Sequence, residues 1–227
     1  MTKIKTLTIQ FDTPLHRSEI PLFRGAVIAA IPSSNILFHN HNGTALRYAY
    51  PLIQYKRIGG KAAIVCIGDG VDAVGEFFAA NSNKTLTIGR EERGFPLGRV
   101  NAFHTEVQCW DTSFEYRIRD WLPLNAKNFK TFSKTDSLIE RMKMLEKILT
   151  GNILSFAKGI GIQITSNIKV SITTVENIRE VRYKRIPLRC MDIQFKSNIS
   201  LPDFVGLGKH SSVGFGIITR NNHKQSK

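Results

Sequence analysis

The sequence predicts an α+β fold of two tandem ferredoxin-like units, and three observations carry that prediction. From residue 6 to residue 88 the signals run strand, helix, strand, strand, helix, strand. That is the order of a four-stranded antiparallel sheet with two helices on one face. Residues 93–99, with Gly94, Pro96 and Gly98, then read as a boundary. A second strand-helix-strand series follows and runs into a glycine-rich segment where a second helix would stand. The expected division is 1–95 and 96–227.

Residues 6–12 place Leu7, Ile9 and Phe11 on one face, the period of a half-buried strand. Ser18 stands where a helix cap is expected, and Pro21 is tolerated in a first turn. The helix carries Leu22, Phe23, Ala26, Val27 and Ala30 on one face and stops at Pro32; a polar loop with His39 and His41 follows. Residues 46–56 read as a strand, and Gly59-Gly60 as a hairpin turn into residues 61–67. A short helix bearing Val71, Val74, Phe77 and Phe78 comes next, and residues 85–88 supply the fourth strand.

In the second series, residues 100–110 and 114–122 read as strands. The clearest helix of the chain follows. Ser137 and Glu140 have capping-box spacing, and Leu138, Met142, Leu145 and Leu149 share a face; the helix is expected to end near Gly159 or Gly161. Residues 169–175, 178–186 and 188–195 alternate as strands before the glycine-rich residues 204–218.

Composition narrows the function. Hydrophobic residues make up 42% of 227, enough for a core. No run approaches the roughly 20 apolar residues of a membrane helix, and residues 1–10 lack a signal-peptide core, so a cytoplasmic protein is expected. Cys66, Cys109 and Cys190 are scattered, which disfavours a zinc ribbon and suits reduced, buried thiols. The net charge of +14 points to a polyanion, most simply nucleic acid; a merely basic protein and an anionic membrane surface are the alternatives. Residues 1–99 hold 12 basic and 7 acidic residues and residues 100–227 hold 20 and 11, so the second unit is the stronger candidate for the main contact.

The glycine-rich segment is the most specific local signal. Gly206, Gly208, Gly214 and Gly216 bracket Lys209, His210, Ser211 and Ser212, a composition that lets backbone amides approach a phosphate chain. A tight turn before a terminal strand is the plain alternative. It is not a Walker A loop, because Asp203 occupies the position of the required first glycine. Gly68-x-Gly70-x-x-Ala73 imitates a dinucleotide fingerprint, but the Gly-Gly hairpin makes the strand before it antiparallel to its neighbour, and no βαβ series follows.

Two basic groups are candidate phosphate contacts. Arg47, Lys56, Arg57 and Lys61 lie on the first hairpin. Arg179, Arg182, Lys184, Arg185 and Arg189 form the densest basic run, with Tyr183 interleaved to stack on a base; the plain alternative is a solvated strand face. His39 and His41 have the chemistry to divide base and acid roles near neutral pH. Two exposed loop histidines, or half of a metal site without a nearby carboxylate, are the other readings. Tyr48 and Tyr50 face one side of the next strand; Tyr48 is a candidate to orient an attacking hydroxyl or stabilise a phosphorane, and a core aromatic is the plain alternative.

The pattern Gly206-x-Gly208, then Ser212-Val213-Gly214-Phe215-Gly216-Ile217, resembles the glycine-rich loop of the CRISPR repeat-processing endoribonucleases, the Cas-six type of the RAMP superfamily. The His39-Asn40-His41 loop and the run from Arg47 through Tyr50-Pro51-Leu52-Ile53-Gln54-Tyr55 to Lys56 are similar to the I-B branch of that family. The resemblance covers most of the chain. It implies cleavage of precursor CRISPR RNA within each repeat, without metal or cofactor, by attack of a 2′-hydroxyl on the adjacent phosphate. It implies a catalytic histidine after the first helix, assisted by Tyr48, or by Arg24 or Lys56 in place of the usual lysine. The implied partners are the repeat RNA or its mature product, subunits of a CRISPR effector complex, and a second copy of the chain. A non-catalytic RAMP subunit that binds RNA is the alternative.

Overall fold

The computed structural model describes residues 3–31, 36–39, 41–42, 45–46, 50–80, 85–184 and 186–221. The chain forms two compact units. One comprises Met1–Thr105 with Gly159–Gly161 and Ser212–Gly214; the other comprises Glu106–Lys158, Ile162–Ser211 and Phe215–Lys227.

In the first unit, β1 (Lys3–Pro14) leads through a 3-10 turn (Arg17–Glu19) into α1 (Ile20–Ala29). The expected Ser18 cap is replaced by a reciprocal pair. The His16 ring accepts from the Ser18 amide, and Glu19 accepts from the His16 amide at 2.7 Å. Next come α2 (Ile36–His39) and the short hairpin of β2 (His41–Asn42) and β3 (Ala45–Leu46). Then β4 (Ile53–Ile58), β5 (Lys61–Ile67) and α3 (Asp69–Ala80) follow. The fourth strand of the sheet is not residues 85–88. Those form β6 (Thr85–Ile88), which pairs only with β7 (Glu91–Gly94), while β8 (Leu97–Glu106) joins β1.

The resulting order, β4-β5-β1-β8, is ferredoxin-like. The first unit thus runs past residue 95, and the expected linker lies within it, with Phe95 in its core. Phe95 is buried, stacked on Phe23 at 5.2 Å and edge-on to Phe11 at 5.7 Å. The Asp12 amide donates to the Pro96 carbonyl at 2.9 Å, and the Thr13 hydroxyl to the Gly94 carbonyl at 2.6 Å. Glycine and proline here shape an exposed connection between strands that sends Phe95 into the core.

The second unit contains β9 (Cys109–Trp121), α4 (Ala126–Lys134), α5 (Leu138–Gly159, its last residue assigned to the first unit), β10 (Val170–Tyr183), β11 (Ile186–Ile199) and β12 (Ile217–Arg220). The order β10-β11-β9-β12 is again ferredoxin-like, with the glycine-rich segment in place of the second helix. Leu145, Leu149, Ile153 and Phe156 are the buried stripe of α5, whereas Leu138 at its start is 71% exposed. Tyr116 stacks on Phe195 at 5.3 Å; its hydroxyl donates to the Ile199 carbonyl and accepts from the Leu201 amide, so the buried phenol is fully bonded. Residues 169–195, read from sequence as three strands, are two. Register shifts between Ile172 and Thr174 and between Val175 and Asn177 break the alternation without ending β10. Among the described residues no helix is long and apolar enough to cross a membrane.

Candidate nucleic-acid interface and catalytic residues

In the second unit, the glycine-rich segment folds back on itself as a closed stem with a tip. The Leu207 amide donates to the Gly216 carbonyl at 2.8 Å, and the Ile218 amide to the Val205 carbonyl at 2.9 Å. Two glycines make that stem possible. Gly216 has φ 64°, and a Cβ there would collide with the Leu207 carbonyl oxygen. Gly208 has φ 86° and lies against the Trp121 indole, whose nitrogen donates to Asn152 at 2.9 Å. Within the tip, His210 itself adopts φ 56°, a left-handed conformation uncommon in non-glycine residues.

The structure joins this tip to the basic run. β10 and β11 close through the Tyr183–Ile186 pair, and Lys184 occupies the turn with φ 48°. The Tyr183 ring lies 4.3 Å from the His210 ring and 5.9 Å from that of Phe215, with the Lys184 ammonium 5.9 Å over Tyr183. Burial against these rings, then the charges of Lys209 and Lys184, hold the His210 imidazole below its ordinary pKa. Lys184 and Lys209 thus set two cations around the His210 imidazole, while the exposed Arg182 lies on the strand face opposite Tyr183.

The other arginines of the run have different surroundings. Arg179 is tied to Asp120 and Asp192, carboxylates of its own unit, and Asp192 also accepts from the Asp120 amide at 2.7 Å. Arg189 lies over the Phe129 ring at 5.0 Å. Phe129 belongs to α4, an element absent from the sequence reading; the Asn125 side chain, which caps it by accepting from the Asn128 amide, is the signal that could have found it. Arg185 lies outside the described residues.

In the first unit, His39 ends α2 and His41 begins β2, so the pair brackets a helix-to-strand junction. His41 pairs with Leu46 and Asn42 with Ala45. The side chains of His39 and His41, and all of Arg47 and Tyr48, lie outside the described residues. The first-hairpin cations divide by environment. Lys61 pairs with Asp12 at 2.8 Å, and Arg57 donates to the Leu15 carbonyl at 2.8 Å. Lys56 is fully buried, and burial pushes its amine down to about 7. Gln54, also buried and on the same strand face, donates to the Tyr50 hydroxyl at 2.8 Å. Beside Lys56, the Tyr55 amide donates to the Ser212 carbonyl at 2.8 Å, and Val213 lies parallel to Tyr55, so residues 212–213 extend the edge of β4.

Lys184, Lys209 and His210 therefore meet in the second unit, with Arg182 exposed on the adjoining strand; Arg179 and Lys61 are held by acidic partners, and Lys56 lies inside the first unit.

Two ferredoxin-like units in tandem, with a glycine-rich segment before the last strand, define the class of the protein as a tandem ferredoxin-like α+β fold. Profiles of the Cas6b N-terminal and C-terminal domains match residues 2–106 and 108–221, and the chain belongs to the Cas6b family. A crystal structure of Cas6b superimposes with a TM-score of 0.85 at 27% identity, covering 96% of this chain and all of that one. A second, described as a CRISPR RNA processing endoribonuclease Cas6b, gives 0.75 at 24% over the same shares. An uncharacterised protein of Methanocaldococcus jannaschii is 32% identical over 103 residues, 45% of this chain and 69% of that protein.

Proposed function

We propose that the chain is an endoribonuclease that cuts CRISPR repeat RNA within precursor transcripts. The observation that carries this reading is membership of the Cas6b family along both units. In the proposed step the 2′-oxygen forms a bond to the adjacent phosphorus while the bond from phosphorus to the 5′-oxygen breaks. One proton leaves the 2′-hydroxyl and one is delivered to the 5′-oxygen, giving a cyclic phosphate and a 5′-hydroxyl. His39 and His41 serve as the base and acid, since imidazole exchanges protons near neutral pH. Tyr48 bears on the developing phosphorane; Lys56, fully buried, is out of reach of the RNA. No step calls for a metal ion. Arg182, Lys184 and Lys209 hold phosphates.

The test is cleavage of the repeat RNA of the host locus in EDTA. Cutting is expected to persist, and a 2′-deoxy substitution at the cut position is expected to abolish it while leaving binding intact. Activity lost on chelation and restored by a divalent ion overturns the metal-free step. Tight binding without any cutting makes the chain a non-catalytic RNA-binding subunit.

A further inference from the structure

A groove of about 340 Å³ opens in the second unit between α4 and the start of β11. Leu124, Phe129, Ile186 and Pro187 give it apolar walls; Glu180 and Arg189 stand in it as the charged groups. Its volume falls at the lower end of the roughly 300–1,000 Å³ of small-ligand sites. β9 meets β11 only from the Trp121–Met191 pair onward, so among the described residues Ile186–Arg189 has no strand on its far side. A sheet edge left open in this way offers backbone donors and acceptors to a planar ligand. Phe129, with the Arg189 guanidinium over its ring, provides a stacking platform, and Phe129 and Ile186 are both well exposed.

Resting on the endoribonuclease reading, we propose that this groove is a nucleobase subsite that takes one unpaired guanine of the bound RNA. Charge complementarity places RNA there. Arg182 pairs across the hairpin with Pro187 of the groove wall, so it and Arg189 stand where the flanking phosphates would run. Glu180 argues for a base in the groove with its phosphate outside, because a carboxylate accepts hydrogen bonds and repels phosphate. Guanine is the base that presents two adjacent donors, N1–H and the 2-amino group, to a single carboxylate. Aromatic and guanidinium faces stacking on splayed bases are the common means of reading single-stranded RNA.

The experiment uses the whole chain and the repeat RNA of its own locus, with each unpaired guanosine replaced in turn by an abasic unit or by inosine. Binding is measured for the parent, Phe129→Leu, Phe129→Tyr and Glu180→Gln, each with its melting temperature. At one position the abasic unit is expected to weaken parent binding about tenfold, the range of one stacked base. Phe129→Leu should weaken the intact RNA equally and add nothing to the abasic RNA, while Phe129→Tyr restores binding. Inosine at that position should weaken the parent but not Glu180→Gln. If the parent binds and cuts while the abasic scan and Phe129→Leu are both flat, the subsite is refuted and the endoribonuclease reading stands. If the parent neither binds nor cuts the repeat, both fall.

Discussion

The Tyr183 ring lies 4.3 Å from the His210 imidazole, which ties the tip of the β10–β11 hairpin to the tip of the glycine-rich segment. Two features that are far apart in sequence thereby form one cationic surface. Tyr183→Ala should loosen both tips and weaken repeat RNA binding by roughly threefold to tenfold, while cleavage at saturating protein stays near the parental rate. Lys184→Ala should lower the slope of log affinity against log salt by about one, as one lost phosphate contact does. Titrations at several salt concentrations check both. An unchanged slope would take Lys184 out of the interface.

Arg179 and Arg182 stand three residues apart on one strand, and opposite outcomes are expected for them. Arg179 holds Asp120 and Asp192, and its removal leaves those carboxylates without their cation. Arg179→Ala should therefore cost on the order of 2 kcal/mol of stability in the second unit. Arg182 is exposed, and Arg182→Ala should leave the melting temperature unchanged and lower RNA affinity. Thermal melts beside binding curves separate the two; an equal loss of stability would show that Arg182 is structural.

The fold was legible where one periodicity governed one element. Phe23 and Val27 on α1, and Leu145 and Leu149 on α5, are buried as their spacing requires. It was misread where tertiary contacts decided. Phe95 sits among glycines and a proline, a local pattern that signals a linker, but it fills the centre of the first core. Lys56 reads as one more surface cation, and only the packing of β4 shows it buried. Arg179 is indistinguishable from its neighbours until the fold brings Asp120 and Asp192 to it. The glycine-rich segment was recognisable because its conformational demand is local: Gly208 and Gly216 take positive φ, and at Gly216 the Leu207 carbonyl leaves no space for a side chain.

Burial of Lys56 ties stability to pH. Its amine titrates near 7 in the folded protein and near 10.5 in the unfolded chain, so between those values the unfolded chain binds the extra proton. Stability from this group therefore rises with pH across that window, and the penalty of the buried charge is complete below pH 7. Lys56→Met removes that penalty. Its stability relative to the parent should fall as pH rises from about 7 towards 10.5, the window in which the unfolded parent alone holds the proton. Denaturant melts of both proteins across this range check the sign. A gain that grows with pH would contradict it.

The histidine pair at the junction of α2 and β2 is the sharpest test of the chemistry. If His39 or His41 carries a proton in the transition state, removing it should slow single-turnover cleavage by roughly a hundredfold to ten-thousandfold. Affinity should hardly move, because an imidazole is one contact among many to a polyanion whose binding rests on lysines and arginines. His39→Ala, His41→Ala and the double variant are measured for rate and for equilibrium binding. Where both histidines act in one step, each single change should be severe and the double little worse, since groups that work as a unit are not additive. The larger single effect is expected at His41, which lies nearer the Gly43 turn in the sequence. A double variant that cuts at the parental rate removes both histidines from the mechanism. His210 is then the next imidazole to change. Its lowered pKa keeps it neutral near pH 7, so as a general base it would give a rate that falls only on acidification below the ordinary histidine range.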